Sequence, residues 1–393
     1  MKVAIVHDYL VNRGGAERVV EALHQTYPDA PIYTSLFHPE ATHEGLRAAD
    51  VRISKLQRFS KDPSQFRKLL PLFARAFRRM KVAGADVVIS SSAGFAHAVR
   101  PKDGCHIVYC HTPPRFLWDP RYDRAAVATW WQRPAANAAI RWLRHADLRS
   151  AKSPHFYLAN SKLTAQRVHA LYGRHAEVIY PPIDVAKFAI APTTGDYHLV
   201  VTRLTPQKRV DVAVRAFTQM GRRLIVVGDG PARASLEEVA GPTIEFHGAV
   251  TESELVRLYG RARGVVVPAE EEFGIVALEA NASGRPVMAY GIGGSLETVV
   301  DGVTGVLWSP DSPIALRVAV ERADHMAWDP IALRAHAEQF SLEAFSTQIT
   351  EFVERATSAC LACARHGRGR WLRSVRPAET EALHQAIAEE GSR

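Results

Sequence analysis

Residues 268–289 read PAEEEFGIVALEANASGRPVMA, a stretch that joins two short apolar runs through a loop and a helix. The runs at residues 264–267 and 287–290 have the apolar composition of buried parallel strands. The composition of residues 275–282 favours a helix, which the Gly-Arg-Pro sequence at 284–286 would end. The order of strand, loop, helix and strand predicts a parallel α/β sheet.

Two glutamates of this stretch are candidate ligand-binding residues. Glu271 lies on the predicted strand-to-helix loop, and Glu279 lies about two turns into the helix. Open α/β sheets bind ligands outside the carboxyl ends of their strands, and Gly274 would let backbone amides at the helix start approach an anion closely. Carboxylates for sugar hydroxyls beside an anion site suit a nucleotide-sugar. The alternative is a solvated acidic turn stabilised by the helix dipole.

Further apolar runs, each followed by a loop and a helical pattern, place this stretch in a doubly wound parallel sheet that begins near residue 199. Arg203 and Lys208 share the loop after the first of these runs, so both could reach one diphosphate. An ordinary solvated loop is the alternative. The sequence contains neither the phosphate-loop lysine pattern nor a tight dinucleotide fingerprint, which argues against an NTPase and a dehydrogenase.

The first half of the chain shows the same alternation. A strand at residues 3–6 is followed by Gly14 and Gly15, whose amides could cradle a phosphate, although a structural tight turn explains them equally well. His111 directly follows an apolar run in a proline-stiffened loop, a position that suits either a binding site or a structural histidine. Residues 181–184 (PPID) are suited to an interdomain linker.

Length and composition indicate a two-domain globular protein. A chain of 393 residues exceeds one usual hydrophobic core. No apolar run approaches the roughly 20 residues that span a bilayer, and the N-terminus lacks a signal-peptide pattern. We therefore expect a cytoplasmic protein whose four cysteines are thiols. Cys360-x-x-Cys363 lacks a second pair at zinc-binding spacing, so no metal site is expected.

The net charge of +8 is uneven, because residues 1–185 hold 27 Lys and Arg against 15 Asp and Glu. Residues 55–81 carry nine cationic side chains and an apolar stripe that includes Phe66, Leu69, Phe73 and Phe77. Pro71 predicts two short helices here. The segment fits an interfacial membrane helix on an anionic surface, with a core-facing helix as the alternative. No nucleic-acid-binding motif accompanies the charge.

Four motifs make residues 1–358 resemble the retaining glycosyltransferases of family 4, which have the GT-B fold. They are GGAE at residues 14–17, Arg203-x4-Lys208, Glu271-x7-Glu279 with FG between the glutamates, and GGSLETVVDGVTG at residues 293–305. The resemblance implies two facing Rossmann-like domains, at residues 1–182 (acceptor side) and 183–340 (donor side), with a cleft between them. Residues 341–358 would return to the first domain, and residues 359–393 would be an extension of unknown role.

The resemblance also implies roles for particular residues. Arg203 and Lys208 would stabilise the leaving diphosphate, Glu271 would hold the transferred sugar, and His111 would face that sugar from the first domain. Asp8, Glu17 and Arg115 would lie on the acceptor side. The donor-binding set would be Gly14, Gly15, Arg203, Lys208, His247, Gly248, Val250, Glu271, Phe273, Gly274, Ile275 and Glu279.

The sequences of two stretches, PAEEEFGIVALEA and VYCHTPPRFLWD, are similar to those of bacterial mannosyltransferases that build surface polysaccharides from GDP-mannose. The resemblance thus implies mannosyl transfer without a cofactor or metal to a polyprenyl-diphosphate-linked saccharide, by a peripheral enzyme at the inner face of the membrane. Two other functions are a UDP-sugar-dependent transferase and a GT-B epimerase, for which Asp8, Glu17 and His111 would be the acid–base candidates. A non-catalytic sugar- or nucleotide-binding protein is a further alternative.

Overall fold

The computed structural model describes residues 1–60, 62, 66–119 and 133–365. The chain divides into two compact units, Met1–Tyr180 with the residues from Phe345 onward, and Pro181–Ala344. The division at Tyr180 lies beside the PPID sequence that suits a linker. Among the described residues, no helix is both long and apolar enough to cross a membrane. Most of the expected extension, residues 366–393, lies outside the described part of the chain.

The first unit is built on a seven-stranded sheet in the order β3-β2-β1-β4-β5-β6-β7, in which every neighbouring pair is parallel. Its strands are β1 Val3–His7, β2 Ile32–Thr34, β3 Val51–Ile53, β4 Val87–Ser92, β5 Cys105–Cys110, β6 Phe156–Ala159 and β7 Glu177–Val178. Its helices are α1 Gly15–Thr26, α2 Phe66–Arg79, α3 Arg115–Trp118, α4 Arg133–Ser150 and α5 Lys162–Tyr172. The order reverses between β1 and β4, so the loops after these strands border the switch point where α/β sheets bind ligands.

The second unit has a six-stranded parallel sheet in the order β10-β9-β8-β11-β12-β13. Its strands are β8 His198–Val201, β9 Leu224–Val227, β10 Ile244–Gly248, β11 Val265–Val267, β12 Val287–Tyr290 and β13 Gly305–Trp308. The helices that follow Tyr180 are α6 Val210–Met220, α7 Arg233–Glu237, α8 Glu252–Arg261, α9 Ile275–Ala282, α10 Ser295–Thr298, α11 Pro313–Asp324, α12 Pro330–Glu338 and α13 Leu342–Arg365. The switch point lies between β8 and β11. Two doubly wound parallel sheets confirm the predicted α/β class.

The basic segment differs from its prediction in two ways. Residues 66–79 form one helix, α2, with Pro71 inside it. Phe73 and Phe77 have no exposed surface and belong to the core of the first unit, where their rings pack edge to face. The prediction that these two rings face a membrane is therefore wrong, and burial of the apolar stripe offsets the hydrogen bond that Pro71 removes. The side chain of Phe66 lies outside the described residues.

The expectation of four thiols is also wrong, because Cys105 and Cys360 form a disulfide. The bond joins the first residue of β5 to α13, across a sequence separation of 255 residues. A ring nitrogen of His155 lies within 4.8 Å of both sulfurs, which makes the group a candidate metal cluster by distance alone. The sulfurs are bonded to each other, however, and a disulfide offers no thiolate to a metal. Cys110 is a buried free thiol.

Candidate functional site

Most of the predicted site residues lie near the switch point of one or the other sheet, and each unit is considered by itself. In the second unit, the loops after β8 and β11 flank the switch point. They carry Arg203 and Lys208 on one side and Glu271 on the other. Because parallel strands end at the same edge of a sheet, these charged side chains come from one edge.

Lys208 and Glu271 meet directly. The Lys208 ammonium donates to both carboxylate oxygens of Glu271, with each Nζ–Oε distance 2.7 Å. Both side chains are partly exposed, at 29% and 21%, so the pair remains open to a ligand. Arg203 is exposed, and no hydrogen bond or ion pair to its guanidinium occurs within the described chain. An ammonium has three donors, so Lys208 keeps one for a phosphate oxygen.

Arg209, the residue after Lys208, has an unusual backbone conformation. It is the only non-glycine residue with positive φ in the described chain, at 47°, a conformation that costs free energy and must be held by its surroundings. Its guanidinium pairs with Asp211 and Asp311, which supplies that support. Strain of this kind beside Lys208 is consistent with a functional position.

Two glycines shape the loop that carries Arg203. Gly228 has φ of 126°, and a Cβ there would lie 1.9 Å from the Thr202 carbonyl oxygen. Gly230 has φ of 158°, and its Cβ would lie 2.3 Å from the Leu204 carbonyl oxygen. The Leu204 amide also donates to the Asp229 carbonyl at 3.0 Å. Only glycine allows this backbone contact, so both glycines are positioning residues that sequence reasoning missed.

The loop that carries Glu271 is held from the opposite side by Gly294. The Gly294 amide donates to the Glu271 carbonyl at 2.8 Å, and a Cβ on Gly294 would lie 2.4 Å from the Phe273 Cα. Phe273 is buried with its ring against Phe340, so its side chain faces the core. Gly274 caps α9 with φ of 101°, and the partly buried Ile275 begins that helix, as predicted.

Glu279 does not stand beside Glu271 as a second open carboxylate. It is 3% exposed, and its Oε2 accepts a hydrogen bond from the Tyr259 hydroxyl at 2.8 Å. Its expected contact with the donor stays a prediction. Three further residues of the expected donor-binding set, His247, Gly248 and Val250, lie at and just beyond the end of β10. His247 is exposed beside Glu245, with a nitrogen–oxygen distance of 3.3 Å, while Gly248 is buried and Val250 is partly buried.

In the first unit, Asp8 is committed to the protein backbone. It is 1% exposed, and its two carboxylate oxygens accept hydrogen bonds from four consecutive amides, those of residues 93–96, at 2.6–2.8 Å. These bonds fill the acceptor positions of the carboxylate. Asp8 therefore orders the loop after β4, and its geometry offers nothing further to a bound acceptor.

Glu17 is likewise held by its own helix start. Gly14 is the N-cap of α1, and Glu17 is the third helical residue, whose carboxyl receives hydrogen bonds from the Gly14 and Glu17 amides. A Cβ on Gly14 would lie 2.5 Å from Glu17 Oε2, so the glycine makes room for this carboxyl. Burial raises the pKa of Glu17 to about 8, so the side chain is mostly protonated at neutral pH. Gly15 is exposed at the first turn.

His111 belongs to a hydrogen-bonded chain that also contains His7 and Ser91. The His7 Nδ1 lies 3.1 Å from the Ser91 carbonyl oxygen and 3.0 Å from Ser91 Oγ, and Oγ lies 2.8 Å from His111 Nε2. A carbonyl only accepts, so His7 Nδ1 carries a proton, which Ser91 Oγ also accepts. The Ser91 hydroxyl has no other acceptor among its described contacts, so we assign its proton to the hydrogen bond with His111 Nε2. That assignment places the His111 proton on Nδ1.

The environment keeps His111 uncharged. Burial lowers its pKa to about 3, with a smaller contribution from His7. Its backbone is fixed as well, because its amide donates to Ser92 and its carbonyl accepts from Thr164. His111 is therefore a rigid, neutral hydrogen-bond donor at the end of β5. Ser91 was not singled out from the sequence, since a serine at the end of a strand carries no distinctive pattern. Arg115, at the start of α3, is partly buried.

The two units therefore offer different chemistry. The second presents cations and one carboxylate at a sheet edge, a combination suited to a phosphate-bearing ligand that also has hydroxyl groups. The first presents a neutral donor, while its two acidic candidates serve the local backbone.

Both halves of the chain match known protein families. Residues 13–187 match the family described as Glycosyltransferase Family 4, and residues 195–323 match the family described as Glycosyl transferases group 1. Together the two matches account for most of the chain.

Individual relatives point to the same group of proteins. The chain is 36% identical over 134 residues to an uncharacterized glycosyltransferase of Methanocaldococcus jannaschii. The match covers 32% of this chain and 34% of the relative. It is 28% identical over 294 residues to the alpha-1,3/1,6-mannosyltransferase ALG2 of Mus musculus. This match covers 63% of this chain and 68% of the relative. The chain spans between a third and a half of the length of the first curated relatives that it matches.

Among solved structures, the chain is similar to Anabaena HepE in complex with UDP and glucose. The TM-score is 0.67 with 18% sequence identity, and the match covers 90% of this chain and 99% of HepE. At this identity the likeness concerns the fold alone.

Proposed function

Because the chain belongs to the GT-B glycosyltransferases of family 4, we propose that it is a retaining hexosyltransferase. We further propose that it moves mannose from GDP-mannose to a lipid-linked saccharide in the synthesis of a surface polysaccharide. The observation that carries the proposal is the pairing of Lys208 with Glu271 at the switch point of the second unit, on a loop that also carries Arg203.

The donor diphosphate would be bound by the cations of this edge. Arg203 can contact two phosphate oxygens with its planar fork, and Lys208 can add its third N–H. Both charges would stabilise the diphosphate as it leaves, when its negative charge is greatest. Glu271, fixed by Lys208, would accept hydrogen bonds from hydroxyls of the transferred sugar.

Retention is proposed to follow from attack on the same face that the diphosphate leaves. The acceptor hydroxyl would approach as the bond to the diphosphate breaks, and its proton would pass to a departing phosphate oxygen. In this scheme no protein carboxylate has to act as nucleophile or base. His111 would donate a hydrogen bond from Nδ1 to a sugar oxygen without exchanging protons itself, since its pKa lies near 3.

The epimerase alternative is supported less well. An epimerase needs residues that donate and remove protons, and the three candidates lie in the first unit. Asp8 accepts four amide hydrogen bonds, Glu17 holds the start of α1, and His111 stays neutral with Ser91 on Nε2. Asp8 and Glu17 are buried and bonded to backbone amides, and burial keeps the pKa of His111 near 3, so none of the three is an open acid–base group.

The proposal of GDP-mannose as donor is supported by the sequence of residues 268–280 and by the match to ALG2 over 294 residues. HepE was solved with UDP and glucose, but at 18% identity it says nothing about this donor. UDP-sugars are therefore the second candidate. A lipid-linked acceptor would bring the enzyme to the inner face of the membrane.

A panel of nucleotide-sugars tests the proposal. The purified chain is incubated with GDP-mannose, UDP-glucose and UDP-N-acetylglucosamine, and the slow release of nucleoside diphosphate and free sugar is followed. We expect release from GDP-mannose, with the α anomer of mannose formed first in proton NMR spectra. Lys208→Ala should abolish release, while Arg215→Gln, a charge change on the exposed face of α6, should leave it unchanged.

Each alternative gives a different result. Release from a UDP-sugar alone would transfer the proposal to that donor, and a β anomer would contradict retention. Conversion of UDP-N-acetylglucosamine to its 2-epimer would establish the epimerase. Binding of a nucleoside diphosphate without turnover of any donor or acceptor would indicate a non-catalytic protein.

A further inference from the structure

A concave site separate from the sheet edges lies on the first unit, between α2, α4 and residue 100. We call it the arginine cavity. Its volume is about 320 Å3, and its lining includes Arg75, Arg78, Arg79, Arg100 and Trp142. Two buried alanines, one from each helix, complete the lining. Neither the donor chemistry nor the acceptor chemistry proposed above uses these residues.

Helix geometry brings the cations together. Arg75, Arg78 and Arg79 stand at spacings of three and four residues, so they share one face of α2, while Phe73 and Phe77 bury the other face. Like charges at such spacings repel each other and lower helix stability. The side chains of Arg75, Arg78 and Arg79 are exposed, and in the described part of the chain no carboxylate pairs with them. An anion in the cavity would relieve this repulsion.

The chemistry of the cavity suits a phosphate group. Guanidinium forks match the oxygens of a phosphate and can contact it bidentately. The volume is at the lower end of the range for small-molecule sites, about 300–1,000 Å3, which is enough for a phosphate with a short polar substituent. A carboxylate ligand would use the forks less fully, because it has only two oxygens.

Exposed apolar side chains at the cavity and near it on α2 distinguish a lipid from a dissolved phosphate. Trp142 is 56% exposed, and Leu72, one turn before Arg75 on the same face of α2, is 46% exposed. An exposed tryptophan beside cations is typical of the membrane–water interface, where the ring lies at headgroup level. A site for a free anion has no need of exposed apolar side chains.

We propose that the arginine cavity binds the phosphate headgroup of an anionic membrane lipid, with Trp142 and Leu72 at the boundary between headgroups and acyl chains. The contact is made by the polar face of α2. It therefore differs from the interfacial helix expected from the sequence, whose phenylalanines are buried. The proposal does not depend on which donor or acceptor the protein uses.

The test measures binding of the full chain to vesicles by sedimentation. Vesicles of phosphatidylcholine alone are compared with vesicles that also contain phosphatidylglycerol. We expect the wild type to bind only the second kind. Each cation near an anionic surface changes the partition constant about fivefold, so Arg75→Gln/Arg79→Gln should bind about thirtyfold more weakly.

The matched control is Arg215→Gln/Arg261→Gln, which removes the same charge from exposed positions in the second unit. It should stay within about twofold of the wild type. Equal melting temperatures would show that both double variants are folded. Release of nucleoside diphosphate from the donor should be unchanged in Arg75→Gln/Arg79→Gln, so a failed donor assay and a failed vesicle assay remain separate results.

The fluorescence of Trp142 shows independently how deeply this site enters the bilayer. Lipids brominated on their acyl chains quench indoles that reach the acyl boundary, so part of the quenching in the wild type should disappear in Trp142→Phe. Titration with inorganic phosphate and diphosphate tests whether the cavity binds dissolved phosphate instead of a lipid headgroup. The proposal is overturned if the wild type ignores anionic vesicles, if Arg75→Gln/Arg79→Gln still binds them normally, or if the cavity binds dissolved phosphate without binding vesicles.

Discussion

Lys208 and Glu271, 63 residues apart in sequence, form an ion pair in which the ammonium lies 2.7 Å from each carboxylate oxygen. The pair joins the loops after β8 and β11, the two strands that flank the switch point of the second sheet. The carboxylate orients the ammonium and also neutralises part of its charge. A phosphate ligand therefore meets a positioned cation whose attraction Glu271 moderates, and the two residues should affect binding in opposite directions.

The first prediction concerns these opposite effects on nucleoside-diphosphate binding. Lys208→Ala should weaken binding by about 1.5–3 kcal/mol, the usual size of a charge-assisted hydrogen bond. Glu271→Gln should strengthen binding by on the order of 1 kcal/mol, because the full charge of Lys208 is released to the phosphate. Both variants should abolish transfer. Calorimetric titration with the nucleoside diphosphate measures both changes, and weaker binding in Glu271→Gln would contradict the moderating role.

The second prediction concerns the proton of His111. Ser91→Ala removes the hydroxyl that donates to His111 Nε2, so the ring should partly shift to the tautomer protonated on Nε2. Nitrogen-15 chemical shifts of the ring should show this change, and donor turnover should fall about tenfold.

The matched control for this experiment is Ser90→Ala. Ser90 lies on β4 with Ser91, and its Oγ makes an equivalent hydrogen bond of 2.8 Å to Nε2 of the buried His106. Both variants should lose about 1–3 kcal/mol of stability because a buried nitrogen loses its partner. Only Ser91→Ala should lose turnover and change the His111 signals. If Ser90→Ala lowered turnover equally, the effect would come from the strand and not from the tautomer.

The third prediction is a pH dependence of stability due to Glu17. Its pKa in the folded protein is raised from the usual 4.5 to about 8, so the folded state holds this proton more tightly than the unfolded state. The stabilisation is complete below the unfolded pKa and is lost as the pH rises through about 8. Glu17→Gln mimics the protonated form and should lack this loss.

Urea unfolding between pH 5 and 8.5 measures the effect. Relative to the wild type, Glu17→Gln should gain on the order of 3–5 kcal/mol across this range. Glu40→Gln, at an exposed position in the same unit, serves as the control and should follow the wild type. Parallel curves for wild type and Glu17→Gln would show that the carboxyl is ionised in the folded protein.

The fourth prediction concerns the disulfide between Cys105 and Cys360. A cross-link that closes a segment of 255 residues restricts the unfolded chain strongly, so Cys360→Ser should cost about 4–5 kcal/mol or less. Dithiothreitol should lower the melting temperature of the wild type and of Cys110→Ala, which removes the buried free thiol. It should have no further effect on Cys360→Ser. An unchanged melting temperature in the reduced wild type would contradict a stabilising role.

The sequence by itself determined the fold class and most of the strands. Continuous runs of β-branched residues bounded by glycine, proline and polar residues are local signals, and they correctly placed strands such as β1, β8 and β11. It also located the loops with Arg203, Lys208 and Glu271, since polar residues after a buried strand must lie at its carboxyl end. β13 was missed because its apolar run after Gly305 is only three residues long, which is too short to separate a strand from a loop by pattern.

Only the tertiary structure decided how the candidate groups are used. The contacts of Lys208 with Glu271, of Asp8 with the amides of residues 93–96, and of Ser91 with His111 all join distant segments. The same holds for the disulfide of Cys105 and Cys360 and for the burial of Phe73 in the core. Composition and spacing report local conformation, whereas hydrogen bonding, burial and the resulting pKa values depend on which segments the folded sheet brings together.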